Sequence, residues 1–323
     1  MNNLSTSVER VEAVVQPQPG IRERLATWRH HHRQTLLAYT ILTPMVIYFV
    51  IFTWLPLIFL FVLSFTEWNI IQWPPTFVGL RNYQEVIVEG YYRRVMLNTL
   101  VLGSSVLAIN LIVGFGTALV LNQQISGRGI FRTIWYLPVI ISGAVMAQMM
   151  AIFLHPSESG VVNIVLQAVF GLKKPVLWSV NTLWMPIWVI IFTAWRGVGW
   201  VVTFFLAGLQ SIDPTLYEAA KIDGANGRQL LWYVTIPMMA PIIIFATVTG
   251  LIGGLQMWEA PLVLTGGGPQ NSTNTLVFSM YRDAFSNLRV GMGTAEAALL
   301  LVVLTIGISF QFRFYRRNYL GEK

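Results

Sequence analysis

Arg196 stands near the middle of a long apolar run, about Leu183 to Leu209, and invites a chemical explanation. A guanidinium in hydrocarbon costs at least ~2.5–3.5 kcal/mol even on the lenient insertion scale, so it must face a bundle interior, water or a partner. Thr193, Gly197, Trp200 and Phe204 recur around it at helical spacing and make one face. Thr193 and Gly197 let a ligand approach, and Trp200 offers an aromatic platform for a ring-shaped ligand. That face is read as lining a passage, with Arg196 at its edge. The alternative pairs Arg196 with a backbone carbonyl or with a second polypeptide. The next run, about Met238 to Leu262, carries Thr247, Gly250, Gly254 and Met257 at one-face spacing, with Gln256 and Glu259 nearer its end. Gly250, Gly254 and Met257 join the passage face. For Gly250 and Gly253 helix packing weighs more, because small residues let backbones approach; for Gly254 ligand contact weighs more.

Bond-making chemistry is not expected. No G-x-x-x-x-G-K-[ST] is present to cradle phosphates, and no histidine lies in a span with partner ligands. No catalytic, cofactor or metal site is therefore assigned. Glu259 and Glu296 stand too isolated for an acid–base pair, and Glu296 reads as a first-turn carboxylate favoured by the positive end of a helix dipole. Trp54, Trp135, Trp184 and Trp188 read as interface anchors or core.

Polar residues of another kind fill Ser211 to Pro237, SIDPTLYEAAKIDGANGRQLLWYVTIP. Asp213 is a good N-cap, Pro214 suits the first helical position, and Gly224 can close the helix in a left-handed cap. A second short helix is expected from about Arg228 to Thr235, with Pro237 marking entry to the next apolar run. Ala219, Ala220 and Ala225 give the first helix a face that another protein can approach, while Glu218 and Lys221 supply orienting charge. Such a helix is a docking element; the plainer alternative is an amphipathic linker.

Composition says what positions these residues. Only 11% of residues are charged and 55% are apolar, at a mean hydropathy of +0.61. Soluble globular proteins carry roughly 25% charged residues, so this chain belongs in a lipid bilayer. A span needs ~20 mostly apolar residues. Six runs qualify: about Leu36–Phe65, Leu97–Leu121, Ile134–Leu154, Leu183–Leu209, Met238–Leu262 and Thr294–Phe314. There is no cysteine, which excludes disulfides and thiolate metal sites. The net charge of +7 is spread over connecting segments without a continuous basic face, so no nucleic-acid partner is expected. Residues 1–34 are polar and end in Arg29-His30-His31-His32-Arg33; they read as a partly disordered, positive cytoplasmic anchor, without a signal peptide. With the N-terminus inside, the inner segments hold thirteen Lys and Arg residues (Arg128, Arg132, Lys221 and Arg228 among them) against seven outside. Both termini and the Glu218 segment are therefore expected in the cytoplasm.

Glu218-Ala219-Ala220, then Asp223-Gly224-Ala225 and Ile236-Pro237, resembles the EAA loop of bacterial ABC importer permeases. The likeness continues through LSFTEWN, FVGLRNYQEV, Asn98-Thr99, GRGIFRTIWYLP and TGGGPQNSTNTLVFSMYRDAF, which resemble the carbohydrate-uptake branch and its maltose- and glycerol-phosphate-type F or A subunit. Glu296 departs from the pattern, where only small or apolar residues are expected. The resemblance implies an all-α integral membrane protein with six transmembrane helices in the type I ABC importer permease fold. Residues 35–323 would form the permease domain, with its core over about 94–314 and the coupling loop over 211–237. Glu218, Ala219, Ala220, Lys221, Asp223 and Gly224 would dock into a cleft on a separate ATPase. The implied partners are a second homologous permease subunit in a heterodimer, two ATPase subunits that bind ATP and Mg, and an extracytoplasmic substrate-binding protein. The implied substrate is a di- or oligosaccharide or a sugar or polyol derivative, moved by alternating access through a cavity halfway across, between the spans flanking the loop. This chain would hold no cofactor and perform no hydrolysis.

Two rival classes fit less well. A secondary transporter uses ionisable residues inside its spans and usually paired repeats; only Arg196 is clearly mid-span, and no matching half is visible. A membrane enzyme would need a cluster of acids or histidines at the interface, and none is apparent.

Overall fold

The protein is described by a computed structural model covering residues 35 and 37–319. The expected cytoplasmic tail over 1–34, with its Arg29–Arg33 cluster, and the C-terminal residues 320–323 lie outside the described residues. Internal contacts divide the chain after Ile58. The described part of the first unit is the opening portion of one long helix, α1 (Leu37–Ser64).

The second unit holds the remaining elements. A two-stranded antiparallel ribbon, β1 (Thr66–Glu67) and β2 (Thr76–Phe77), pairs Thr66 with Phe77 and Glu67 with Thr76. It is followed by α2 (Arg81–Val88), α3 (Gly90–Asn122), α4 (Arg128–Ile140), α5 (Gly143–Phe153), α6 (Val161–Phe170), α7 (Trp184–Ser211) and α8 (Pro214–Ile222). Then come α9 (Ile236–Leu255), α10 (Leu276–Tyr281) and α11 (Val290–Tyr319).

Five helices among the described residues are long and apolar enough to cross a membrane. The expected third span differs from its expected form. Instead of one helix over Ile134–Leu154, α4 and α5 meet at a 97° bend. Ile141 and Ser142 are extended there, so the bend is a true interruption of helical backbone. Counting the bent pair as one span gives the six expected. The second and fourth spans extend beyond their expected limits at the N- or C-terminal end, because polar end residues such as Arg93 and Ser211 continue the helix.

The segment before the fifth span also differs. A separate helix over Arg228–Thr235 is not formed; Gly227–Gln229 runs through a π-helical stretch, Leu230–Thr235, directly into α9. Pro237 therefore lies inside continuous helix. The π register precedes it as Val50–Trp54 precedes Pro56, and a third π stretch, Ala260–Thr265, contains Pro261. Wider turns accommodate the ring and missing donor of proline without breaking the helix.

Glu296 is corrected too. It is the seventh residue of α11, beyond the first turn, and is fully buried beside Asp283 and Ser279. The dipole explanation does not apply to it.

The core is built where α3, α7 and α9 meet. Ala118, Val202, Phe205, Leu209, Met239 and Ala246 are buried in one cluster there. Toward the other end of α3 and α7, Leu102, Val106 and Val189 form a second with Met146 of α5 and Met257 just beyond α9. Gly103 and Gly254 make a close crossing of α3 and α9. A Cβ on either would lie 2.7–2.8 Å from the other's carbonyl oxygen, so only glycine admits this backbone-to-backbone approach.

Candidate functional site

Two cavities open along the seam between α7 and α9. One, of about 280 Å³, is bordered by Asn110 of α3, by Thr193, Arg196, Gly197 and Trp200 of α7, and by Thr249, Gly250, Gly253 and Gly254 of α9. The other, of about 180 Å³, shares Thr193, Arg196 and Gly253 and adds Gln256, Met257, Trp258 and Glu259. All seven residues assigned to a passage from spacing (Thr193, Arg196, Gly197, Trp200, Gly250, Gly254 and Met257) border one cavity or the other. A helical face on α7 and another on α9 thus meet.

Their individual roles differ from expectation. Gly254 is a packing residue locked against Gly103, whereas a Cβ on Gly253 would meet nothing within 4 Å. The glycine with open space beside it is Gly253, one position away from the assignment. Gly250 faces Leu107, and Gly197 faces the Asn110 amide, whose nitrogen would stand 2.7 Å from an added Cβ. Thr193 Oγ1 donates to Met257 Sδ at 3.5 Å. Trp200 is half-exposed and packs edge-on against Phe204, with centroids 4.7 Å apart.

Among the described residues Arg196 finds an acidic partner within the chain. Its Nη1 donates to Glu259 Oε2 at 2.7 Å, and both side chains remain about a third exposed, at 34% and 36%. Glu259, read from the sequence as isolated, is therefore one half of an intramolecular ion pair. The helix break over Gln256–Trp258 brings it there: α9 ends at Leu255, and helix resumes only after the chain has turned. Gly143, at the bend between α4 and α5, completes the arrangement. A Cβ there would overlap Glu259 Oε2 and come within 2.6 Å of Arg196 Nη1. Two interrupted spans and one continuous helix converge on a single charge pair.

Sequence reasoning passed over Asn110 and Gly143, and it read Gly253 as packing and Glu259 as isolated. A lone cation in one span and a lone anion near the end of the next was the available signal for the pair.

At the far end of α7 the chain forms α8, and its capping is as expected. Asp213 Oδ1 accepts from the Thr215 amide at 2.9 Å, Pro214 occupies the first turn, and Gly224 has φ +83°. Ala225 N–H donates back to Ala220 O at 2.9 Å, which closes the C-terminus. The hydrogen bonds from Thr215, backbone and side chain, hold the Asp213 carboxyl below the usual carboxylate range. An Asn226–Gln229 capping box starts the following helix. No residue of α8 is buried; Glu218, Ala219, Lys221, Asp223 and Gly224 are exposed and Ala220 half-buried. Ile222 and Tyr233 add exposed apolar surface beside them. Tyr217 OH and Thr235 Oγ1, 3.1 Å apart, fasten α8 to the base of the helix that continues as α9.

The opposite end of the bundle carries Gly266–Thr275. Asn98 Nδ2 donates to the Asn271 and Asn274 carbonyls at 2.6 and 3.1 Å, and the Leu276 amide donates to Thr99 Oγ1 at 2.8 Å. Thr275 Oγ1 donates to Met257 O at 2.7 Å, which ties this loop to the helix break beside the cavities.

A family model described as "Binding-protein-dependent transport system inner membrane component" matches residues 35–318. The chain is 29% identical to the arabinooligosaccharides transport system permease protein AraP of Halalkalibacterium halodurans, over 94% of both chains. It is 30% identical to the sn-glycerol-3-phosphate transport system permease protein UgpA of Agrobacterium fabrum, over 88% of this chain and 96% of the other. It also superimposes on a chain of a bacterial alginate ABC transporter crystallised with an alginate pentasaccharide-bound periplasmic protein. That match has a TM-score of 0.77 and 28% identity, and covers 90% of this chain and 97% of that one.

Proposed function

This chain belongs to the binding-protein-dependent transport system inner membrane components, and on that premise we propose how it works. It is the multi-pass permease subunit of a sugar ABC importer, in the type I permease fold. Relatives handle arabinooligosaccharides, glycerol phosphate and alginate, so the substrate here is a saccharide or a sugar or polyol derivative. It is delivered from outside by a binding protein.

The observation that carries the mechanism is the connection of α8 to both cavity walls. α8 has no buried residue, is capped at its N-terminus by Asp213 and closed at its C-terminus by Gly224 and Ala225, and hangs between α7 and the helix leading into α9. Those two helices carry the passage residues. A push on α8 is thus transmitted along both walls of the seam, with Tyr217–Thr235 resisting slippage at one side. Glu218 through Gly224 form the contact for an ATPase subunit in the cytoplasm, which makes that end of the bundle and both termini cytoplasmic. Two ATPase subunits bind ATP and Mg; a second permease of similar fold supplies the facing half of the pathway. Closure of the ATPases moves α8 and turns the seam from inward- to outward-facing.

The test is co-purification of the tagged chain from its native membrane. Bound ATPase and second permease, with vanadate-sensitive hydrolysis stimulated by binding protein and saccharide, support this function. Proton- or sodium-driven uptake by this chain alone would contradict it.

A further inference from the structure

The two cavities flanking Arg196 have two ionisable side chains on their described walls, Arg196 and Glu259, and these neutralise each other across 2.7 Å. The other hydrogen-bonding side chains there, among them Asn110, Thr193 and Gln256, are uncharged. An indole stands in each cavity, Trp200 in one and Trp258 in the other.

This lining discriminates by charge. A carboxylate or phosphate entering the seam meets a guanidinium whose charge is already matched, and must shed water to sit beside the Glu259 carboxylate. Like charges at such range disfavour one another, and a repulsive group of this kind is a common route to specificity. A neutral polyol meets no such obstacle. Its hydroxyls both donate and accept, which suits amide and hydroxyl walls, and its ring faces suit indole. The bend at Gly143 keeps the pair in place, because its backbone occupies the third side of the carboxylate and leaves no space even for a methyl group.

We infer that Glu259 is a specificity-determining residue: by cancelling Arg196 it makes the seam selective for uncharged saccharides over uronates and sugar phosphates. This rests on the sugar-importer function proposed above and narrows its substrate class.

The experiment uses the intact importer complex of permeases and ATPases, without its binding protein, so that the permease's own preference is read. Calorimetry would compare neutral gluco-oligosaccharides of one to four rings with galacturonate oligomers of the same lengths. For the wild type, the tightest neutral binder should exceed the tightest uronate by at least tenfold. Glu259→Gln should shrink that ratio tenfold or reverse it, and Arg196→Gln combined with Glu259→Gln should restore preference for the neutral series. A wild type that binds a uronate as tightly as any neutral member, or answers to no neutral member, overturns the inference. An unchanged ratio in Glu259→Gln also overturns it. Failure of the importer function is separable: there, no saccharide with the binding protein would stimulate ATP hydrolysis. Uronate preference with hydrolysis still stimulated defeats this inference alone.

Discussion

Gly253 and Gly254 are neighbours on α9 whose replacement by alanine should have opposite consequences. Both substitutions gain the same intrinsic helix preference, about 1 kcal/mol for Gly to Ala in a helix interior. That gain cancels in the comparison. At Gly253 the new methyl meets open cavity, with no atom within 4 Å. At Gly254 it would stand 2.7 Å from the Gly103 carbonyl oxygen, a backbone atom that can yield only by parting α3 from α9. Overpacking of this kind costs about 1–3 kcal/mol, so Gly254→Ala should be less stable than Gly253→Ala by that amount. At roughly 2–4 °C per kcal/mol, thermal unfolding of the purified complex should separate the two variants clearly. Transport should rank them differently: Gly253→Ala keeps its stability but narrows the seam, so its defect is one of sugar uptake at normal membrane levels. Equal midpoints for the two variants, or a lower one for Gly253→Ala, would refute the assignment of Gly254 to packing and of Gly253 to the cavity.

Other consequences are as direct. Glu218→Lys or Gly224→Asp should reduce uptake at least tenfold while insertion and ATP hydrolysis persist; Gly224→Asp adds backbone strain at φ +83°. Normal coupling in both would remove α8 from the mechanism. Arg196→Ala combined with Trp200→Ala should weaken sugar affinity and uptake together, measured in proteoliposomes, and full retention of both would take this face of α7 out of the pathway. Asp213 gives a pH signature. Its carboxyl is depressed in the folded state by Thr215, so its stabilisation of α8 is present above the ordinary carboxylate range and is lost as pH falls through the lowered value. Protection of the Thr215 amide and its neighbours, taken relative to their intrinsic exchange rates, should therefore fall only in acid, and Asp213→Ala should remove that acid-dependent loss.

What the sequence made legible was local. The caps of α8 depend on Asp213, Pro214 and Gly224, whose conformational preferences act within a few residues, and all three behave as their chemistry dictates. Apolar runs long enough to span a bilayer were equally readable, because length and composition alone decide them. The bend after Ile140 was not. Pro138 lies inside α4, and the interruption falls on Ile141 and Ser142, where the reason for Gly143 is tertiary: the Arg196–Glu259 pair fills the space a side chain would need. That pair joins residues 63 positions apart, and its formation depends on the break after Leu255. The exchange of roles between Gly253 and Gly254 has the same origin, since one residue turns a helix by about 100° and spacing alone does not settle which of two adjacent glycines faces the neighbouring helix.

The central claim is that α8 lies in the cytoplasm against an ATPase and drives the seam between α7 and α9. Because the chain has no cysteine, a single one introduced at Ala219 is a unique reporter. A membrane-impermeant maleimide should label it in inside-out vesicles stripped of ATPase, should fail to label it when the ATPase is bound, and should not reach it in right-side-out vesicles. Labelling of Ala219→Cys from the outer face, or labelling indifferent to the ATPase, would contradict the account.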